Sequence, residues 1–493
     1  MKNLTHPIPM LPGFYKPFRG RKRRSAQQIL ADKIAFIKRK SFKQIGEIFD
    51  RFIPDEHLKP ETTGIMSRRS MFSKENTFWA FLGQVIDADG GCKEVVRKLQ
   101  SYASLRGAII PSSSTASYCT ARKKLSEQTI TNIFQFTSEQ GGKPNQTGLL
   151  RNRRVIVVDG TGLSMPDTPA NQVVWPQSST QKPGCGFPSA RVCACFSLES
   201  GSLLSYAIGN KKNHELPLLR QQWKIFKPGD IFLGDKGFCS YYDVVKFKEQ
   251  AVDSVITLAR RKPVSRSKCL KVLGPNDLLI KWDRPKYTPQ LSYTRETMAQ
   301  LPEELPLRQI QVVVDQPGFR TTGFYIVTTL LDPVKYPSKE IVGLYLKRWD
   351  VELFFRDIKI TMGMDVLRCQ SPDMIRKEIL MNFIAYNCVR RLMYEAAEEA
   401  DLYVRQVSFK GSLQAIRSWS PQFEGDKLSK AERNKLLNDL YGAVTGLPLP
   451  QRPGRSEPRC KKRRPKAYQL LTKPRHEMKE IEHRNRYRTT SIN

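Results

Sequence analysis

The sequence is poor in the residues from which structural metal sites and disulfide frameworks are built. It has five histidines, and its ten cysteines include no C-x2-C pair. Cys193 and Cys195 come nearest to that spacing, but they lie in an apolar run that is typical of a buried strand. These features argue against a zinc site and against a fold held by disulfides.

Long apolar segments are also missing. No run of about 18 apolar residues occurs in the chain, which argues against a membrane-spanning helix. The first residues include basic side chains but no apolar stretch of the kind that a secretory signal requires, so we expect no such signal. A membrane partner is therefore not expected.

Acidic residues are scarce relative to basic ones. The 493 residues include 82 Lys and Arg but only 47 Asp and Glu, a formal net charge of +35. This excess implies a polyanionic partner. Dense basic runs occur at 16–24 and 452–466. Such runs are also typical of solvated tails and targeting signals, but charge spread along the whole chain favours contact with DNA.

One segment combines several polar residue types at helical spacing. Tyr345, Arg348, Glu352 and Lys359 fall within about 60° of one another on an ideal helix. A glutamate on such a helix is usually a solvated surface residue. However, a Tyr, an Arg, a carboxylate and a Lys on one face also suit a site where a metal ion and DNA phosphates meet. The opposite side of this helix is apolar and can pack against a core; it carries Val351, Phe354 and Ile358.

Two aspartates follow short apolar runs that predict buried strands. Asp159 ends the run that begins at Arg153, and Asp235 ends a shorter run that begins at Asp230. A glycine follows each closely, a combination that is also common in simple turns. Carboxylates brought together raise one another's pKa values unless a cation is present. Such oxygen ligands hold Mg²⁺, and a pair of these ions can assist an in-line phosphoryl transfer.

Together these motifs resemble those of DDE transposases of the insertion-sequence-four type. The Y-x2-R-x3-E-x6-K signature of that family is matched at all four of its positions, beginning at Tyr345. The resemblance implies that Asp159, Asp235 and Glu352 are the catalytic residues. It also implies that they hold two Mg²⁺ ions, which Mn²⁺ can replace, with Asp159 bridging both ions.

The same resemblance assigns DNA contacts. It implies that Tyr345, Arg348 and Lys359 bind DNA near the cleaved end. Trp349 is also typical of the family and is predicted to stack on a base or sugar, with a place in the core as the alternative. Related enzymes hold a flipped base on an aromatic residue. Weak candidates for that role open a strand before the signature, where aromatic residues are usually core; they are Phe324 and Tyr325.

The region 25–147 shows the apolar spacing of helices joined by short polar turns. One of these helices carries Arg122, Lys123 and Lys124. We predict a helical DNA-binding domain that resembles a helix-turn-helix and recognises the ends of the element through these three cations. A plain helical bundle with a solvated charged face is the alternative.

The predicted fold class is α/β. We expect an RNase-H-like catalytic core, with a mostly β insertion before the last catalytic helix and the helical DNA-binding domain at the N-terminus. A hairpin is predicted at 191–210 and a helix at 216–226; His214 and Glu215 are interpreted as helix-capping residues, with an accessory catalytic role as the alternative. The predicted divisions are a basic arm (1–24), the helical domain (25–147), the first part of the core (148–262), the insertion (263–330), the second part of the core (331–400) and a helical, then basic, C-terminal region (401–493).

The resemblance implies a cut-and-paste transposase. Such an enzyme binds terminal inverted repeats, pairs two ends in a homodimer, cleaves double-stranded DNA and joins the freed 3′-OH to target DNA. It also implies a cytoplasmic, nucleoid-associated protein of a prokaryote. Two alternatives remain open, an RNase-H-like endonuclease that does not join strands and a catalytically silent DNA-binding copy.

Overall fold

The computed structural model describes residues 43–450, apart from several internal gaps and with four short stretches outside that range. The gaps are 68–69, 106, 142–148, 211–213, 259–267, 289–292, 314–322 and 425–427, and the outlying stretches are 27–29, 31–32, 473–474 and 477–478. The two basic runs predicted as an arm and a tail, 16–24 and 452–466, lie outside the described residues.

Helices precede, flank and follow the strands. In chain order they are α1 (Lys43–Phe49), α2 (Asp55–Leu58), α3 (Lys74–Ile86), α4 (Cys92–Leu105), α5 (Ala116–Lys124), α6 (Glu127–Gly141), α7 (Pro169–Val174), α8 (Glu215–Arg220), α9 (Tyr241–Glu249), α10 (Arg295–Ala299), α11 (Ser338–Leu346), α12 (Asp350–Arg356), α13 (Pro372–Glu399), α14 (Phe409–Trp419) and α15 (Lys430–Thr445). Over the part of the chain that the structure describes, none of the helices is both long enough and apolar enough to cross a membrane.

The strands form one mixed sheet. They are β1 (Val155–Ser164), β2 (Ser189–Ser197), β3 (Leu203–Asn210), β4 (Ile231–Gly234), β5 (Asp253–Thr257), β6 (Cys269–Gly274), β7 (Asp277–Asp283), β8 (Glu304–Val313) and β9 (Gly323–Thr328). Their order across the sheet is β3-β2-β1-β4-β5-β9-β8-β7-β6. β1, β2 and β3 are antiparallel neighbours, whereas β4 runs parallel to β1 and β5 runs parallel to β4. The mixed α/β class expected from the sequence is therefore observed.

β1 joins the antiparallel strands β2 and β3 to the parallel strands β4 and β5. Its first four residues are β-branched and buried, as is usual for a strand that is covered on both faces. The predicted end of this strand at Asp159 is wrong, because antiparallel pairing with β2 continues as far as Ser164. Parallel pairing with β4, in contrast, ends at Val157 opposite Leu233. Asp159 thus lies where β1 extends beyond its parallel neighbour.

The predicted β insertion continues the central sheet. β9 pairs antiparallel with β5, and β8, β7 and β6 follow in order as antiparallel neighbours. The strands predicted in this part of the chain are therefore present, but they extend one edge of the core sheet. The predicted helix at 216–226 is shorter than expected, because α8 ends at Arg220 and a 3-10 turn follows at Trp223–Ile225.

Two hydrophobic cores cover the two faces of the sheet. Val155 and Val157 belong to one core, and Ile156 and Val158 belong to the other. This alternation follows from the period of two in a strand. The first core is lined by α12 and α13, and the second by α8 and α9. By the same alternation, Asp159 continues the row that faces α12, while the next position faces α8.

The helices before β1 share the first core with α13. Phe134 of α6 contacts Phe383 of α13, with 6.2 Å between ring centroids, and Tyr206 of β3 lies 4.9 Å from Phe383. The predicted helical character of this region is seen in α1–α6, but the helices are packed into the body of the protein rather than around a core of their own.

Candidate active site

The two predicted aspartates lie at the same edge of the sheet. Asp159 lies in β1 just beyond its parallel pairing with β4, and Asp235 immediately follows β4. Because β1 and β4 are parallel and their pairing ends at Val157 and Leu233, both aspartates follow that pairing by two residues. The backbone N–H of Gly160 donates to Asp159 Oδ1 at 2.7 Å, and that of Gly237 donates to Asp235 Oδ1 at 2.8 Å. Each carboxylate is thus oriented by the glycine that follows it.

The electrostatics of Asp159 reflect a crowded, half-buried position. Its pKa is raised from 3.8 to about 6, chiefly by burial; the negative charges of Asp235 and Glu215 also raise it, and the Gly160 N–H lowers it. Arg348 opposes this effect, with Nη1 at 4.0 Å from Asp159 Oδ2. A carboxylate whose charge is disfavoured in this way is suited to binding a cation.

The signature segment is helical but not a single regular helix. A 3-10 turn at Lys347–Trp349 joins α11 to α12, and a π-helical turn at Asp357–Thr361 follows. A π turn shifts the register of the residues that follow it. The angles expected for an ideal helix therefore do not hold as far as Lys359. The apolar side packs against the core as predicted; Val351, Phe354 and Ile358 are all buried.

The polar residues of the signature segment differ in their exposure to solvent. Tyr345 is buried and its hydroxyl is hydrogen-bonded to Thr257, while its ring lies 5.4 Å from that of Phe324. Arg348 is also buried, and its Nε has no hydrogen-bond partner among the described residues. Glu352, one turn later, is exposed. A direct phosphate contact by Tyr345 is thus not available in this conformation, because its hydroxyl points into the protein.

Lys359 links the end of the signature to β1. Its Nζ donates to the carbonyl of Gly162 at 3.0 Å and lies 3.3 Å from Thr161 Oγ1. It also pairs with Asp365 at 3.0 Å. Arg348 and Lys359 therefore both meet the second half of β1, and Glu352 lies between these two contacts along the chain.

The carboxylates are not spaced as a finished ligand set. Across the described ranges, no group of three His, Cys, Asp or Glu side chains is arranged so that it could hold a metal ion. The structure brings Asp159, Asp235 and Glu215 close enough to influence one another electrostatically. The charged side chains with the largest effects on the pKa of Asp159 are Asp235, Arg348 and Glu215.

The sequence of this chain matches a known protein family. Residues 150–388 match the family described as the transposase DDE domain. The transposase InsG of insertion sequence element IS4 from Escherichia coli K12 is 25% identical over 443 residues, which cover 88% of this chain and 95% of InsG. Both matches support a DDE transposase of the insertion-sequence-four type, an enzyme that cleaves DNA and transfers strands.

Other similarities of the transposase are shorter or weaker. The putative transposase InsL of IS186A from Escherichia coli K12 is 27% identical over 73 residues, 15% of this chain and 20% of InsL. Among solved structures, a piggyBac transposase synaptic complex with hairpin DNA aligns over 85% of this chain and 86% of its own chain. Its TM-score is 0.43 and its sequence identity is 12%.

The other residues that were predicted to contact DNA lie beside Arg348 and at the end of α5. Trp349 is half-buried, 5.9 Å from the guanidinium of Arg348. Arg122 is buried, where it donates to Gln84 Oε1 at 3.1 Å and lies 4.8 Å from the centroid of the Phe81 ring.

The placement of Arg122 corrects the prediction for this cation. Its guanidinium is directed into the helical core, so it is not available for a DNA contact. Lys123 and Lys124 are exposed. The sequence spacing could not separate the three, because adjacent helical residues point about 100° apart and the buried side depends on the packing partner.

Asp159→Asn should stabilise the metal-free transposase at neutral pH. The pKa of Asp159 is raised above its ordinary value of 3.8 to about 6. The folded state therefore binds more protons than the unfolded state between these values, and stability falls as the pH rises through this window. The loss is on the order of 2 kcal/mol in the wild type and is absent in the Asn variant. Thermal unfolding in EDTA between about pH 4.5 and 7.5 would measure it; parallel curves for both proteins would contradict the assignment.

Proposed function

We propose that the transposase moves its element by a cut-and-paste route and that Asp159, Asp235 and Glu352 hold two Mg²⁺ ions, for which Mn²⁺ can substitute. The observation that supports this most directly is the meeting of Asp159 and Asp235 at one edge of the sheet. Arg348 lies beside them, and Glu352 follows it by one turn on an exposed surface.

The proposed core is RNase-H-like. In support, the order β3-β2-β1-β4-β5 combines three antiparallel strands with two strands parallel to the first, which is the arrangement of that fold. The first two acidic residues then lie where the parallel pairing of β1 with β4 ends. The third acidic residue, Glu352, lies on α12, which packs across β1.

The residues at this edge suit Mg²⁺ chemically. Their donors are carboxylate oxygens, which this ion prefers. A bound cation would offset the burial and mutual repulsion that raise the pKa of Asp159. When bound, the ions would supply charge neutralisation at the reacting phosphate. Since the carboxylates are not yet spaced as ligands, we expect them to draw together when the ion binds.

The protein's own cations are proposed to position the DNA. Arg348 lies at this edge of the sheet with its Nη1 4.0 Å from Asp159 Oδ2, so its positive charge can attract a phosphate that is bound there. Lys359 holds a neighbouring position along β1 and Trp349 flanks Arg348.

Water then attacks phosphorus at the element end, the P–O3′ bond breaks and the 3′-OH leaves with a proton. In joining, that 3′-OH attacks a phosphodiester of the target and displaces its 3′ oxygen.

Recognition of the element ends is proposed for the helices before β1. Lys123 and Lys124 are exposed at the end of α5 and can contact phosphates. We further propose that two chains pair two ends in a homodimer and that the protein associates with the nucleoid, since its formal charge of +35 favours DNA.

A DNA assay with the gene's own flanking ends tests this proposal. With Mg²⁺ or Mn²⁺, the wild type should cut a plasmid at both element boundaries and join the freed 3′ ends to a second plasmid. In EDTA, it should shift end DNA on a gel, and light scattering of that complex should give two chains and two ends. Cutting without joined products would favour the endonuclease alternative. Specific binding without cutting would favour the silent copy.

A further inference from the structure

A fourth carboxylate lies beside the two aspartates, on the opposite face of the sheet. Glu215 is the first residue of α8, whose Leu218 and Leu219 pack in the core that α12 does not line. Asp159 continues the row of β1 that faces α12. Glu215 therefore approaches Asp159 from the other side of the sheet.

Gly160 makes this approach possible. A Cβ placed on Gly160 would lie 2.2 Å from Glu215 Oε1 and 2.4 Å from its Cδ. These separations are far below any van der Waals contact, so the carboxylate occupies the space that a side chain would fill. A glycine inside a strand often marks such a close approach. The contact brings the Glu215 carboxylate next to the residue that follows Asp159.

The same carboxylate also reaches toward Asp235. A Cβ on Gly237 would lie 3.8 Å from Glu215 Oε2 and 3.0 Å from Asp235 Oδ1. The pKa of Cys193, which pairs with Gly160 across β1 and β2, is raised first by burial and then by the charges of both Glu215 and Asp159. The positions of Gly160 and Gly237 thus place the Glu215 carboxylate near both aspartates, and its effect on Cys193 agrees with that placement.

We propose that Glu215 is a fourth oxygen donor of the metal site, admitted through the gap that Gly160 leaves in β1. The inference rests on the proposed function, because it takes Asp159 and Asp235 as metal ligands. Its main competitor is a purely structural carboxylate that is neutralised by Arg191 of β2, whose charge lowers the pKa of Glu215. A structural carboxylate would leave metal affinity unchanged when replaced by its amide.

The proposal is tested by titrating the metal-free, full-length protein with Mn²⁺ alone, in the absence of DNA. Electron paramagnetic resonance measures how much of the Mn²⁺ is bound. Glu215→Gln should raise the Mn²⁺ dissociation constant at least about tenfold. Asp159→Asn should raise it as much or more. Glu399→Gln, at the exposed end of α13, removes the same charge far from the site in sequence and should change it less than about twofold.

The outcomes separate this inference from the proposed function. If Asp159→Asn weakens Mn²⁺ binding and Glu215→Gln does not, the inference is overturned and the three-residue site stands. If neither variant changes binding, the metal assignment itself fails, and the fourth donor with it. Thermal unfolding in EDTA checks the fold of each variant, and Glu215→Gln should unfold no earlier than the wild type because it removes a repelling charge.

A second pair of variants isolates the gap at Gly160. Gly160→Ala should weaken Mn²⁺ binding as Glu215→Gln does, because the new methyl group displaces the carboxylate. In a Glu215→Ala background the clash is gone, so Gly160→Ala should then have little further effect, a coupling that a double-mutant cycle measures. Additive losses in the cycle would overturn the role given to Gly160.

Discussion

Glu352→Gln should abolish DNA cleavage by the transposase while leaving its binding to end DNA within about twofold of wild type. The amide keeps the size and the exposed helical position of the glutamate. It removes one anionic ligand, and the lost transition-state stabilisation of several kcal/mol corresponds to about a thousandfold or more in rate. Because Val351 and Phe354 anchor α12 in the core, the helix should keep its place.

The matched control for this variant is Glu340→Gln. Glu340 lies in the first turn of α11, is exposed and forms a long pair with Arg151, at 3.7 Å. Its replacement removes the same charge from the same helical segment and should leave cleavage unchanged. Cleavage of labelled end DNA in Mg²⁺ and gel shifts in EDTA provide the two measurements. Residual cutting by Glu352→Gln near the wild-type rate would remove Glu352 from the proposed metal site.

Arg308→Met should lower the free energy of unfolding by about 3–5 kcal/mol. Arg308 of β8 is fully buried, and its Nε donates to Asp277 Oδ1 of β7 at 2.7 Å. Its Nη1 donates to the carbonyls of Leu330 and Tyr336, in the segment that leads into α11. Methionine fills much of the space but leaves a buried carboxylate and two carbonyls without their donor.

Two companion variants interpret that loss. Arg308→Met combined with Asp277→Leu removes both charges and should recover a large part of the stability, because no buried ion is left unpaired. Lys281→Met breaks the exposed pair with Glu304 on the neighbouring strands and should cost much less, because solvent screens that pair. Urea denaturation followed by circular dichroism measures all three; a loss for Arg308→Met as small as that for Lys281→Met would contradict the anchoring role.

The sequence predicted the features that depend on local pattern. The apolar runs before Asp159 and Asp235 are strands, and the apolar side of the signature helix is buried. The family resemblance is confirmed by the comparisons. These predictions succeed because strand runs and helical periodicity are read from neighbouring residues alone.

What the sequence could not supply depends on distant partners. Tyr345 and Arg122 appear polar and available in the sequence, yet each is buried against residues far away in the chain. Glu215 was interpreted from the sequence as a helix-capping residue, with an accessory catalytic role as the alternative. A usable hint was Gly160, since the strand continues through the Asp-Gly pair at which the sequence predicted its end. A glycine within an extended run also indicates that another group approaches closely.

The packing of α6 against α13 also bears on how such elements diversify. Since Phe134 and Phe383 are in contact, the N-terminal helices and the long helix after the signature must fit each other side chain by side chain. Exchange of the N-terminal segment with that of a distant element would leave the apolar surface of α13 mismatched. New preferences for DNA ends are therefore expected to arise by gradual change at exposed positions rather than by recombination of whole segments.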